Sequence, residues 1–125
     1  MYQDPLKSIQ SLPEEWLRDH YLAKSFQRMD KICNIPISQG NRVLDVCCGP
    51  GFYSASFAHL AGPDGEVVGI DINSDHINSA RKRTSTSVFS NFQSFYVADV
   101  SNITDLIDLK IGKFDVIVLF NCISY

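Results

Sequence analysis

Arg42-Val-Leu-Asp-Val-Cys-Cys-Gly-Pro-Gly-Phe-Tyr-Ser54 decides how the rest of the chain is read. Apolar residues run into an acid, a Gly-Pro-Gly turn follows, and a helix-compatible segment comes next. That is the pattern of a buried strand handing over to a helix across a loop of small residues. A residue without Cβ accepts positive φ and lets main chain approach a ligand closely, so Gly49 and Gly51 mark a tight turn, stiffened by Pro50 between them. The helix beginning near Gly51 or Phe52 aims its N–H groups and the positive end of its dipole at whatever lies before the loop, and an anion or electron-rich group is expected there. A glycine-rich loop alone is also what plain packing at a strand end looks like, so the reading depends on what flanks it.

Downstream, Tyr53, Phe57, Leu60 and Ala61 fall on one helix face, and Gly62-Pro-Asp-Gly65 ends that helix in a turn. A second strand runs from Glu66 to Asp71. Ser74 is read as the cap of the next helix, with Ile77 and Ala80 facing inward and Arg81-Lys82-Arg83 in the last turn. The polar stretch from Thr84 to Asn91 is a loop, and Phe92 to Asp99 a third strand, again closing on an acid. Asn102 is placed to cap a short helix carrying Ile103, Leu106 and Ile107, which Gly112 stops. Phe114 to Phe120 is apolar at nearly every position, as a parallel strand covered on both faces must be. Upstream, Ser11-Leu-Pro-Glu14 has the form of a capping box and opens a helix over about residues 11–33, and Ile35–Asn41 is a loop broken by Pro36 and Gly40. A helix followed by β-α-β-α-β-α-β implies one α/β domain over 1–125, with a parallel sheet and right-handed crossovers.

With 125 residues the chain has room for a single core. A net charge of −3 offers no electrostatic invitation to nucleic acid or to an anionic membrane, and the one basic cluster sits where helix C-termini favour it. The N-terminus is polar and no apolar run is long enough to cross a bilayer, so a cytoplasmic location is expected. Cys33, Cys47, Cys48 and Cys122 have the spacing of neither a zinc site nor a disulfide framework; they are read as reduced, with no metal site. Cys48, close to a helix N-terminus where a thiol pKa can fall, is read as a small packing residue rather than a nucleophile.

Asp45, Asp71 and Asp99 stand at or near the C-terminal ends of three strands. In an open α/β sheet those ends share one rim, where ligands bind. Three acids suggest a neutral or cationic ligand rich in donors. An acid about twenty residues beyond the glycine loop suits a pair of ribose hydroxyls, although Asp71 beside Asn73 and Asp99 beside Ser101 also have the form of turn caps.

On these residues the chain resembles the class I S-adenosylmethionine-dependent methyltransferases over residues 42–121. Val-Leu-Asp-Val-Cys-Cys-Gly-Pro-Gly is similar to their first motif, Val-Val-Gly-Ile-Asp71-Ile-Asn to their ribose-binding second strand, Tyr-Val-Ala-Asp99-Val to the adenine-contacting third, and Phe-Asp-Val-Ile-Val-Leu-Phe-Asn121 to the fourth. Within that class it most resembles the methyltransferase 11 or ubiquinone/menaquinone-biosynthesis type. The departure is Cys47, where the family usually carries glycine. The resemblance implies a Rossmann-like parallel sheet of order 3-2-1-4 flanked by helices, truncated relative to the family's seven strands. It implies S-adenosyl-L-methionine as cofactor, with main-chain contact at Cys47, Gly49 and Gly51 and Asp45 near the amino group. It further implies Asp71 on the ribose hydroxyls, Ile72 and Val100 flanking adenine, Asp99 accepting from its exocyclic amine, and Asn121 near the methyl end.

The expected function is methyl transfer to a small-molecule acceptor, with this chain the cofactor-binding half of a longer enzyme. A non-catalytic cofactor-binding or regulatory module is the alternative. The residues single out no general base or other catalytic group. A nicotinamide dehydrogenase is disfavoured by the lack of a G-x-G-x-x-G helix start, and nucleic-acid amino-methylation by the lack of a double proline after Asn121. An apolar fourth strand at a sheet edge is expected to seek self-association.

Overall fold

In the computed structural model, which describes residues 35–85, 92–102, 104–105 and 112–119, the apolar run after Asn41 forms β1 (Arg42–Val46). Parallel neighbours pair along both of its edges. β2 (Glu66–Asp71) sets Val68 opposite Leu44, and β4 (Val116–Val118) sets Ile117 opposite the same residue. β3 (Gln93–Val97) pairs with the far side of β2, giving the order β3-β2-β1-β4 with every pair parallel, as the family resemblance implied.

Side chains alternate across a strand, so each strand feeds two cores. Val43, Val67 and Val118 pack with Phe57, Ala58, Leu60 and Ala61 of α1 (Phe52–Ala61), while Leu44, Val46, Val68, Ile70 and Ala98 gather on the opposite face. A third cluster joins Cys48 and Phe95 to Ile77 and Ala80 of α2 (Ser74–Thr84), the two α2 residues expected to face inward. Full burial of a side chain like Phe57 is worth about 1.5–3 kcal/mol, so these clusters, rather than helix propensity, hold the helices to the sheet. α1 is less one-sided than its sequence suggests. Besides the predicted Phe57, Leu60 and Ala61, it buries Ser54, Ala55, Ser56 and Ala58, small residues that let helix and sheet approach closely.

Several boundaries differ from expectation. α2 is capped by Asn73, not Ser74: Asn73 is extended, and its Oδ1 accepts from the N–H groups of Asp75 at 2.9 Å and His76 at 3.2 Å, leaving Ser74 inside the helix. An amide one residue earlier reaches the open end of the first turn, which is what an N-cap must do. Asn102 does take its predicted cap contact, accepting from the Thr104 N–H at 3.1 Å. β3 is shorter than Phe92–Asp99, and β4 shorter than Phe114–Phe120. β4 buries Val118 against the α1 core but leaves Ile117 59% exposed, so among the described residues it is an edge strand packed on one face, not a strand covered on both. The predicted helix over about 11–33, together with Ile103, Leu106, Ile107 and Asn121, lies outside the described residues.

The charged residues of α2's last turn serve the fold. Arg81 donates through Nε and Nη2 to the Phe95 carbonyl at 3.0 and 2.6 Å, and the Arg83 guanidinium lies 4.4 Å above the Phe52 ring. At the sheet end opposite the loop, Arg42 of β1 ties to β2 and to the segment that leads into β4. Its Nε donates to Glu66 at 2.8 Å and its Nη1 to the Lys113 carbonyl at 2.6 Å; its backbone N–H donates to Asp115 Oδ2 at 2.8 Å, and its carbonyl accepts from the Asp115 N–H at 2.9 Å. No described helix is long and apolar enough to cross a membrane.

Gly69 sits in β2 where a Cβ would lie 2.6 Å from the Phe95 ring and 2.9 Å from Cys48 Sγ, both buried. Gly69→Ala is therefore expected to lower stability by about 1–3 kcal/mol through overpacking, read as a shift in the urea midpoint. An unchanged midpoint would mean the ring has room to move aside.

Candidate functional site

Three left-handed residues turn the chain from β1 into α1: Cys47 at φ 58°, Gly49 at φ 56° and Gly51 at φ 85°. Cys48 and Pro50 alternate with them. The loop is tied to the sheet by the Cys48 N–H donating to the Ile70 carbonyl at 3.0 Å, and closed on itself by the Gly51 N–H donating to the Cys48 carbonyl at 3.1 Å. Among the described residues nothing lies within 4 Å of where a Gly49 Cβ would stand, so its glycine answers to backbone conformation. Cys47 pays for the same conformation without glycine's freedom, at roughly 1–2 kcal/mol. This is the physical content of its departure from the motif: the backbone keeps the glycine shape with a side chain attached.

The acids behave differently from one another. Asp71 closes β2 and binds main chain on both sides: Oδ2 accepts from the Gly49 N–H at 2.9 Å, and Oδ1 from the Asn73 N–H at 2.8 Å. The turn-cap geometry weighed from sequence is present, and the same carboxylate also buttresses the loop. His76 Nδ1 lies 4.0 Å from Oδ2. Asp99, two residues beyond β3, accepts the Ser101 N–H at 2.9 Å and the Ser101 hydroxyl at 2.7 Å, both on Oδ1; these bonds hold its carboxyl below the usual carboxylate range. It is self-capped.

Asp45 is buried, only 3% exposed, on the sheet face that α1 covers. Its Oδ2 accepts from the Ser54 hydroxyl at 2.5 Å, and among the described residues Oδ1 has no hydrogen-bond partner. Burial pushes this carboxyl up to about 7, opposed by the Ser54 bond and reinforced by the nearby Asp71 charge. Burial, then the Asp45 and Asp71 carboxylates, push the Cys48 thiol up as well. The fall that a helix N-terminus can cause is overridden, and the packing reading of Cys48 holds.

A hollow of about 90 Å³ opens at this rim, lined by Val46, Cys47, Ile70, Asp71, Ile72, Ala98, Asp99 and Val100. Of the sequence-predicted residues it brings together Cys47, Asp71, Ile72, Asp99 and Val100. Gly49 and Gly51 stand in the adjoining loop; Asp45 does not line the hollow, and its carboxylate turns to Ser54 of α1. Ile72 is 70% exposed and Val100 44%, apolar side chains left in water at the mouth of a cleft. Sequence reasoning missed Ser54 and His76. A serine on an otherwise apolar, inward-facing stretch of helix was the available signal for the first; nothing local signals the second.

Residues 37–125 match the methyltransferase-domain family. Demethylmenaquinone methyltransferase from Staphylococcus aureus is 34% identical over 50 residues, which are 40% of this chain and 21% of that protein. The match thus spans about a fifth of the curated relative's length. Among solved structures, a cyclopropane-fatty-acyl-phospholipid synthase-like protein from Lactobacillus casei superposes with a TM-score of 0.65 at 23% identity, over 75% of this chain and 36% of that one. Aeropyrum pernix fibrillarin, solved with natively bound S-adenosyl-L-methionine, gives a TM-score of 0.58 at 14% identity, over 79% of this chain and 42% of that one. At such identities the two structures speak for the fold.

Asp45 makes a testable statement about stability. Its folded pKa of about 7 is above the ordinary 3.8, so the folded state favours the protonated form. That contribution is fully present below the unfolded pKa and is lost as pH rises towards 7. Asp45→Asn, neutral at all pH, is expected to be more stable than wild type by on the order of 3–4 kcal/mol at about pH 8, with the gap closing towards about pH 4. Denaturant unfolding at the two pH values measures it; a gap independent of pH would contradict the burial of an ionised carboxylate.

Proposed function

Since the chain belongs to the methyltransferase-domain family, of the class I S-adenosylmethionine-dependent kind, we propose that it binds S-adenosyl-L-methionine at the β1–β2–β3 rim and serves methyl transfer to a small-molecule acceptor. The observation that carries this is the hollow whose walls come from the ends of three strands and whose polar groups are carboxylates. At about 90 Å³ it is far smaller than sites that enclose a whole drug-sized ligand, about 300–1,000 Å³, so it frames one flat part of such a ligand. Apolar Ile72 and Val100 at its mouth suit the faces of an adenine ring.

The donor set fits this cofactor, which brings hydroxyl, amine and sulfonium groups and no phosphate. Each Asp71 oxygen already accepts one N–H, and a carboxylate oxygen has capacity for another, so Asp71 can still take the ribose hydroxyls. Asp99 Oδ1 is committed to Ser101, which leaves Oδ2 for the exocyclic amine. Asp45 Oδ1, which accepts no hydrogen bond from the described residues, is the acceptor suited to an ammonium. Gly49 commits its N–H to Asp71. Cys47 and Gly51 shape the main chain on either side, and the resemblance assigns Asn121 to the methyl end.

S-adenosyl-L-methionine would supply, when bound, an electrophilic methyl group, which the acceptor's nucleophile takes in line as the carbon–sulfur bond breaks and S-adenosylhomocysteine leaves. The chain's own part is to orient and desolvate, and holding two reactants in line is where most of the rate of such a step arises. The likeness to demethylmenaquinone methyltransferase supports a small acceptor, and a cytoplasmic place of work goes with that reading.

Asp71→Ala is expected to weaken S-adenosylhomocysteine by about 1.5–3 kcal/mol, the loss of hydrogen bonds to a charged group. Calorimetry giving equal affinities for the two proteins would remove Asp71 from the site. With labelled methyl donor, counts are expected in a demethylated quinone-type acceptor; counts appearing instead in RNA would overturn the small-molecule assignment.

A further inference from the structure

Ser54 has no solvent exposure and lies in the first turn of a helix that buries mainly alanine and large apolar residues. At such a position alanine forms helix better and leaves no polar atom to satisfy. A buried serine also commonly donates to the carbonyl four residues back, yet this hydroxyl spans nine positions to Asp45 at 2.5 Å. The bond crosses the whole Cys47–Gly51 loop, joining the strand before it to the helix after it. Its acceptor is a nine-tenths-buried carboxylate whose second oxygen has no partner among the described residues.

We propose that Ser54 is a positioning residue of this site: by fixing Asp45 Oδ2 it orients the carboxylate so that Oδ1 receives the ammonium at the amino-acid end of the cofactor. The inference rests on the S-adenosylmethionine reading above and deepens it. Burial works against the ionised carboxylate, the Ser54 bond works for it, and the neighbouring charges do not help. From β2 the group facing Asp45 is the Asp71 carboxylate; from the loop it is the Cys48 thiol. From β4 its partner in register is the uncharged Val118, and His76 of α2 stands beside Asp71 rather than Asp45. Among the described groups around it, the Ser54 hydroxyl is thus the one that favours the charged form. Without Ser54 the carboxyl titrates higher, and less of it is ionised near neutral pH to meet a cation.

Two ligands separate this role from a merely structural one: S-adenosylhomocysteine, which carries the ammonium, and 5′-methylthioadenosine, which lacks the amino-acid end. Calorimetry at about pH 7 is expected to show Ser54→Ala weakening the first roughly ten- to hundredfold while leaving the second within about twofold. Wild-type affinity for S-adenosylhomocysteine is expected to rise from about pH 6 to about pH 8, and in Ser54→Ala that rise moves to higher pH. Ser54→Cys, close in volume and a weaker donor, is expected to fall between the two and guards against a fold too damaged to measure. Equal weakening of both ligands, or a pH profile unmoved in the variants, overturns the inference while the cofactor reading stands. Wild-type protein that binds neither ligand overturns the cofactor reading itself, and the inference with it.

Discussion

Left-handed backbone at residues 47, 49 and 51 is the constraint on which the rest of this structure depends. β1 is the central strand and α1 must run back across it to cover Val43 and Val67; only a very tight reversal lets the helix begin six residues after the strand ends. The alternation also lifts the Cys48 N–H onto the Ile70 carbonyl and the Gly49 N–H onto the Asp71 carboxylate, so the loop is stitched to β2 as well as to its own strand. The shape of the loop and the packing of α1 are two results of the same dihedral angles. A residue forced out of that conformation would disturb both.

Features encoded locally were legible in the sequence. The bounds of β2, the start of α1 at Phe52 and the Gly62–Gly65 turn follow from period and punctuation within a few residues; the sheet order came from the family resemblance and not from local pattern. What escaped depends on partners distant in the chain or on competition between near-equal neighbours. Asn73 and Ser74 both suit a cap, and only the approach of the chain from Asp71 decides for Asn73, whose own N–H that carboxylate holds. Ser54 reads as one more small helical residue until folding brings it to Asp45. The apolar run around β4 signals a strand without telling that Ile117 faces outward.

At Asp45 and Cys47 the fold gives up stability. A buried carboxylate with one hydrogen bond and a non-glycine residue at positive φ each cost the fold something, and both lie within three residues of one another. Local choices that contradict the folding optimum cluster at sites of function, where a strained or under-satisfied group is completed by a ligand. The remaining oddity of the loop, Gly49, has the same character: among the described residues nothing fills the space where its Cβ would stand.

Arg42 gives the sheet a polarity that its hydrogen-bond ladder alone lacks. Its side chain and backbone tie β1 to Glu66 on one side and to Lys113 and Asp115 on the other, and Phe114 lies 4.6 Å beneath its guanidinium, all at the ends of the strands remote from the loop. Register is thereby clamped at one rim. The opposite rim is held by main chain instead, through the Cys48 N–H on the Ile70 carbonyl and the Ala98 N–H on the Asp71 carbonyl, so the sheet is moored at its base by a replaceable side chain and at its rim by the backbone itself.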